Sequence, residues 1–424
     1  MIDDSLALTA IQKKLIGKEL NYKEIFAVMD AISHERLSQI LTTYFAASGY
    51  SKGFSDEELY FLTKAMMETG EKLHFPGIVA DKHSIGGVPG TRTTLIVIPI
   101  IAAAGYTIPK SSSRAITTPG GTGDDMEVIA PVTFDKKDIY RIVKETGACI
   151  VWGGSVDIAP ADDDLITVEE PLMLESFDKI LVSIMAKKIA FGSNHIVIDL
   201  PYGKHVKVHN KKDAEALKTK FEYLAKRFNV TLTVFVHNTI QPAGRGIGPL
   251  LETREALKVL EQTAERPRDL EDKALILAGM LLDLCLKDSP KKLQEQVKKE
   301  FGNGRKWAES ILASGEAMKK MKEIIRAQGG DSAIISADLK PGKHQYEVKA
   351  ERSGVIKEID SKNLSVLAKI LGAPAQKKSG IYLEKKNGEE VHQGEVAFIL
   401  YSESEHNLNE AKDSLDHFPI FLFE

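Results

Sequence analysis

The chain has 424 residues, 43% of them hydrophobic, and a formal net charge of −4. That length and composition allow two or three domains with a sizeable core, and the charge gives no reason to expect nucleic acid as a partner. The two cysteines, Cys149 and Cys285, sit in apolar contexts without metal-ligand spacing to any histidine. They read as reduced core residues, with no metal site. The N-terminus lacks a basic start or an apolar signal core, and the longest uncharged apolar stretch, residues 95–105, is too short to span a bilayer. The expectation is a cytoplasmic protein with no membrane partner.

Residues 5–70 read as three or four amphipathic helices, with Ile25, Val28, Met29 and Ile32 on one face. Asn21 with Glu24 and Ser55 with Glu58 fit capping boxes, and Gly49 and Gly70 stand where C-caps belong. From about residue 77 short apolar runs alternate with helical stretches. The runs are 77–80, 149–152, 196–199 and 232–236, and the alternation predicts βαβ units with a mostly parallel sheet. Ligands of such sheets sit at the carboxyl ends of strands, where Asp81, Gly153-Gly154 and Asp199 are expected. A helical interruption at 157–190 carries Ser183, Lys187 and Lys188, and 249–326 is helical again. Lys340-Pro341-Gly342 marks a boundary before a small α+β domain at 345–424, in which Asn387-Gly388 signals a hairpin. The predicted class is α/β. It has a small all-helical domain (1–72, completed by about 157–190), a large mostly parallel α/β domain (73–156 and 191–335) and a C-terminal α+β domain (345–424).

Two loops between 81 and 128 combine glycine, hydroxyl side chains and a cation. The first reads Asp81-Lys82-His83-Ser84-Ile85-Gly86-Gly87-Val88-Pro89-Gly90. The second contains Ser111-Ser112-Ser113-Arg114 and Pro119-Gly120-Gly121-Thr122-Gly123-Asp124. Glycine lets backbone N–H groups approach a ligand, and a helix start leaves such groups free for an anion. Lys82 and Arg114 add full charge. Two such loops predict a substrate with two anionic ends.

Asp-Lys-His-Ser-x-Gly-Gly at 81–87, Gly-Gly-Thr-x-Asp at 120–124 and Ser-Ile-x-x-Lys-Lys at 183–188 resemble the second family of nucleoside phosphorylases, which includes thymidine and pyrimidine-nucleoside phosphorylases. The resemblance runs from about residue 10 to the C-terminus. It is nearest to AMP phosphorylases, through Ala159-Pro160-Ala161-Asp162-Asp163 and the stretch Gln241-Pro242-Ala243-Gly244-Arg245-Gly246-Ile247-Gly248-Pro249. It implies a three-domain enzyme whose substrates lie in a closing cleft between the first two domains, a homodimer, and no cofactor beyond inorganic phosphate as co-substrate. AMP phosphorylases carry a further N-terminal domain, after which this chain is expected to begin.

Residue by residue, the resemblance assigns Lys82, Ser84, Gly86, Thr93, Ser112 and Thr122 to inorganic phosphate. It assigns Gly87, Ser113, Arg114, Ala115, Ile116, Thr117, Thr118, Thr122, Ser183, Lys187 and Lys207 to the nucleotide. Arg114 and Lys207 are natural partners for a 5′-phosphate, and on the sequence alone they lack another partner. Glu175 stands where AMP phosphorylases have an aspartate as proton donor, and with His83 it is the catalytic candidate. Ala161 replaces an arginine that contacts the base in pyrimidine enzymes, and His237-Asn238-Thr239 replaces Thr-Asp-Gly. Read singly, Asp162 and Asp163 fit a helix cap as well as a substrate contact, Lys188 reads as surface charge, and His195 as a satisfied polar residue. The expected reaction is reversible phosphorolysis of a nucleoside 5′-monophosphate, AMP first, to free base and ribose 1,5-bisphosphate. The alternatives are a thymidine or pyrimidine-nucleoside phosphorylase and a nucleotide-binding relative that has lost catalysis.

Overall fold

A computed structural model describes residues 4–115, 118–169 and 176–423. The chain divides into two compact units: residues 1–81, 153–196 and 215–233 form one, and 82–152, 197–214 and 234–424 the other.

The first unit is helical. Its N-terminal part consists of α1 (Asp4–Leu15), α2 (Tyr22–Ser33), α3 (Gln39–Lys52) and α4 (Asp56–Glu68), and α8 (Pro160–Glu169) and α9 (Phe177–Ala190) pack among them. The apolar stripe of α2 explains this packing: Ile25, Val28, Met29 and Ile32 are all buried. Both capping boxes form, Asn21 with Glu24 and Ser55 with Glu58. Glu58 also receives the buried Lys14 ammonium at 2.8 Å, so one carboxylate ends one helix and anchors another. The two glycines expected as C-caps do not serve as such. Gly49 lies inside α3, capped instead by Gly53, and Thr69 caps α4.

The second unit carries β2 (Ile108–Ser112) and β3 (Ala148–Trp152), paired in parallel. Three further strands cross the division between the units: β1 (Ala80–Ser84), β4 (His195–Tyr202) and β5 (Thr231–Asn238), in the order β1-β4-β5. Helix α5 (Thr94–Ala103) is the core element, buried from Thr94 to Ala102 and packed on α11 (Pro249–Leu260), α12 (Arg268–Lys287), α14 (Gly304–Ala313) and α15 (Glu316–Ala327). A helix apolar all round can be stable only inside a core. No described helix is long and apolar enough to cross a membrane.

Strand positions shift relative to the sequence reading. Asp81 is the second residue of β1 and Asp199 the fifth of β4, so neither stands at a strand end. The run 77–80 is apolar, but the pairing begins at Ala80 and continues through the polar Asp81–Ser84 stretch, because Lys82 and Ser84 find partners inside the protein.

The C-terminal part holds two antiparallel sheets. One has the order β6-β9-β11-β7, with β6 (Gly246–Ile247), β7 (His344–Lys349), β9 (Gly380–Leu383) and β11 (Val396–Ser402). The other has the order β10-β8-β12, with β8 (Gly354–Ile359), β10 (Glu390–Val391) and β12 (Phe421–Phe423). Asn387-Gly388 does make a tight turn, in which the Glu389 N–H donates to the Lys386 carbonyl at 3.1 Å and Gly388 has φ 83°. It is not a hairpin, since the strands on either side, β9 and β10, belong to different sheets.

Candidate active site

In a strand, residues two apart share a face. In β1 this brings Lys82 and Ser84 together and puts His83 on the opposite face. The Lys82 ammonium donates to Ser84 Oγ at 2.6 Å and to Thr93 Oγ1 at 2.7 Å, with Thr94 Oγ1 at 3.4 Å, and the residue is only 1% exposed. Thr93 precedes α5 without capping it, so its hydroxyl is committed to Lys82. Lys110, buried on β2, donates to the Lys82 carbonyl at 2.7 Å.

A buried cation needs a counter-charge, and here it is Asp199. The Asp199 carboxylate, 1% exposed, accepts from Ser84 Oγ at 2.6 Å and from His237 Nε2 at 2.7 Å, and stands 3.4 Å from Lys273 Nζ. Burial raises its carboxyl, but Lys273, His237 and Lys82 together hold it well below the usual carboxylate range. Lys82, Lys273 and Asp199 carry one net positive charge among them, which suits an anion.

After β1 the chain turns through Gly86 (φ 91°) and Gly87 (φ 84°). A Cβ on Gly87 would lie 2.9 Å from the Lys207 backbone nitrogen, so only glycine permits that approach. Lys207 itself is half-buried.

The second loop is organised by an aspartate. Asp124 accepts from the N–H groups of Ala115 (2.6 Å) and Gly121 (3.0 Å) and from Lys377 Nζ (2.8 Å). The Gly123 N–H donates to the Ser113 carbonyl at 3.2 Å. Two amides of the glycine-rich turn, those of Gly121 and Gly123, are thus already engaged within the protein. Thr122 opens the short helix α6 (Thr122–Met126), and its Oγ1 lies 3.3 Å from Arg92 NH1. Arg92 also pairs with the buried Asp125 and Glu252 and donates to the Gly120 carbonyl at 2.8 Å. Ser112 Oγ donates to the Val151 carbonyl at 3.0 Å, and Thr118 Oγ1 to the Gly120 carbonyl at 2.9 Å.

The expectation that Arg114 lacks a partner is corrected. Its guanidinium makes two parallel bonds to Glu127, at 2.6 and 2.7 Å, reaches Asp124 at 3.4 Å, and lies over the Trp152 ring at 5.1 Å. Glu127 also pairs with Lys377 at 3.0 Å, and these cations lower its carboxyl to about 2. The acid thirteen positions downstream is close only because α6 turns the chain back.

The remaining candidates lie in the helical unit. Ser183 Oγ donates to Asp162 at 2.6 Å, and Lys187 pairs with Asp162 at 2.9 Å and Asp163 at 2.7 Å. Asp162 is fully buried in the first turn of α8. Lys188 is not surface charge: it is 3% exposed and pairs with buried Asp81 at 3.0 Å. His195 is buried, its Nδ1 2.6 Å from Asn194 Oδ1. Ile116, Thr117 and Glu175 lie outside the described residues.

The sequence points to Asp199 only as a strand-end residue, and it does not point to His237, Lys273, Arg92 or the anchoring role of Asp124 as parts of the site. The partners of Ser84 and Arg92 stand 115 and 160 positions away, beyond the reach of any local pattern.

Residues 8–70 match the helical bundle domain of the glycosyl transferase family, 77–318 match its a/b domain, and 355–418 match the pyrimidine nucleoside phosphorylase C-terminal domain. Together they define a glycosyl transferase of the pentosyltransferase class. An AMP phosphorylase of Methanococcus vannielii is 41% identical over 402 residues, covering 95% of this chain and 77% of that protein. One from Thermofilum pendens is 41% identical, covering 97% and 77%. A Legionella pneumophila protein named "Putative thymidine phosphorylase" is 40% identical, covering 96% and 76%. The chain belongs to the AMP phosphorylase and thymidine phosphorylase family. The fold also matches anthranilate phosphoribosyltransferase of Thermus thermophilus, with a TM-score of 0.61 at 17% identity over 75% of this chain and 99% of that one.

Proposed function

We propose that this protein catalyses the reversible phosphorolysis of nucleoside 5′-monophosphates, AMP first among them, giving free base and ribose 1,5-bisphosphate. The observation that carries the reading is the buried Lys82 ammonium with its ring of hydroxyls, in a chain 41% identical to proteins named AMP phosphorylase. Inorganic phosphate would exchange for the internal hydroxyl contacts of Lys82, with Thr93 turning its O–H group to it while the Ser84 O–H stays on Asp199. A phosphate oxygen then attacks the anomeric carbon. The new C–O bond forms as the C–N bond breaks, and its electron pair leaves with the base, which takes up one proton. Glu175 is the candidate donor, provided its surroundings keep it protonated. Positioning and charge complementarity supply most of the acceleration, and the co-substrate phosphate is the only non-protein group the reaction requires.

For the 5′-phosphate, Arg114 and Lys207 are the candidate partners. Arg114 presents the two-pronged donor that a phosphate accepts, but its fork is closed on Glu127. Nucleotide binding is therefore an exchange of one oxyanion for another. The name of the Legionella relative supports a second reading, phosphorolysis of an uncharged pyrimidine nucleoside. Incubation of AMP, CMP, UMP, uridine and thymidine with phosphate, followed for base release and by phosphorus NMR for a bisphosphorylated sugar, separates the two.

A further inference from the structure

We infer that His237 is a positioning residue of the phosphate site, acting through Asp199. This rests on the reading of Lys82, Ser84 and Thr93 as a phosphate pocket.

Both ring nitrogens and one face of the half-buried imidazole have partners. Its Nε2 lies 2.7 Å from Asp199 Oδ1. Its Nδ1 lies 3.1 Å from Thr239 Oγ1 and 3.3 Å from the Asn238 carbonyl. Its ring stacks on Phe235 with centroids 4.7 Å apart. A carboxylate can only accept, so Nε2 carries a proton. Nδ1 can accept from the Thr239 hydroxyl when the ring is neutral, or donate to the Asn238 carbonyl when it is charged. The same ring position therefore serves both charge states.

His237 engages Oδ1 of Asp199 and leaves Oδ2 for Ser84 and Lys273. Ser84 must donate to Asp199, so toward Lys82 it can only accept. The Asp199 carbonyl also accepts the Ile85 N–H at 3.0 Å, which ties the start of the Gly86-Gly87 turn to the same residue. The orientation of one carboxylate thus fixes the Ser84 hydroxyl and, through it, the ammonium that meets phosphate. The charged groups around His237 are Asp199 on β4, Lys273 on α12 and, beyond Ser84, Lys82 on β1.

The test is calorimetric binding of inorganic phosphate to the full chain, for wild type, His237→Ala and His237→Gln. The KM values for phosphate and nucleotide are measured in parallel. His237→Ala should weaken phosphate binding at least about tenfold, the scale of a hydrogen bond to a charged group, and should raise the KM for phosphate far more than that for nucleotide. His237→Gln keeps an N–H donor and should recover most of the affinity. Alanine binding phosphate as wild type does, or glutamine binding it no better than alanine, overturns the inference. If the alanine variant does not fold, glutamine alone decides, and a loss of about tenfold in its phosphate affinity overturns the inference. Phosphate binding that depends on His237 in a protein that phosphorolyses no nucleotide leaves the inference standing and sinks the proposed reaction. A wild type that binds no phosphate sinks both.

Discussion

Lys82 sits 1% exposed with a full charge, neutralised by Asp199 across one serine hydroxyl. Such a cation is costly to bury without a purpose, and in the proposed reaction its purpose is the phosphate nucleophile. Lys82→Ala removes a charge-assisted contact that contributes roughly 1.5–3 kcal/mol. The phosphate KM should rise by about one to two orders of magnitude while nucleotide affinity changes far less. An active variant with an unchanged phosphate KM contradicts the assignment of this pocket. Arg114 calls for a different test, because it is already satisfied by Glu127. Arg114→Ala should erase most of the preference for a monophosphate over its nucleoside while sparing residual nucleoside turnover. Comparing kcat/KM for AMP and adenosine in this variant checks it, and a preference retained in full removes Arg114 from the 5′-phosphate.

At the scale of elements, the stretch 241–249 links the first glycine loop to the C-terminal sheet. The Ala243 N–H donates to Thr91 Oγ1 at 2.9 Å, the Gly244 N–H to the Gly90 carbonyl at 3.2 Å, and Gly246-Ile247 forms β6 against β9. Gly244 has no room for a side chain, since a Cβ would lie 2.3 Å from Glu255 Oε2. Glu255 is buried there, and burial raises its carboxyl to about 7 despite the N–H groups of Gly246 and Arg245 and the charge of Lys386. The folded state holds this proton more tightly than the ordinary value of 4.5. The stabilisation is therefore complete below about pH 4.5 and is lost as pH rises through about 7. Glu255→Gln cannot ionise, so its Tm relative to wild type should climb between those pH values. A difference in Tm that stays flat with pH contradicts this.

The same elements divide into those legible in the sequence and those that were not. Asn21 with Glu24, Ser55 with Glu58 and the α2 stripe were readable, because a helix writes its caps and its period locally. Strand β2 is not legible in the sequence: Ile108-Pro109-Lys110-Ser111-Ser112 has no run of β-formers, and its buried Lys110 donates to the Lys82 carbonyl, 28 positions away. Lys188 read as surface charge for the same reason, since Asp81, which neutralises it, is far away in sequence. The Lys82-Ser84 pair followed from its motif, whereas Asp199 and His237 come to it through tertiary packing alone.

Across the whole chain, helix α3 and the turn just after α1 leave apolar side chains outside. Ile16 is 69% exposed, Ile40 68% and Tyr44 52%, and Ile40 and Tyr44 stand one helical turn apart. Such a patch needs a cover, and a second copy of the chain is the partner expected from isologous pairing of oligomers. Light scattering should give twice 46.7 kDa, and Ile40→Asp with Tyr44→Asp should give the monomer mass. A wild type of monomer mass at micromolar concentration contradicts this.

Whether the substrate carries a 5′-phosphate is decided by a single kinetic comparison. It is the kcat/KM for phosphate-dependent base release from AMP, CMP and UMP set against adenosine, uridine and thymidine, under one buffer and one phosphate concentration. The 5′-phosphate should raise kcat/KM at least about tenfold, equivalent to roughly 1.4 kcal/mol of transition-state binding, with AMP the best substrate. Phosphorolysis of uridine or thymidine as fast as of any monophosphate contradicts it and makes the protein a nucleoside phosphorylase.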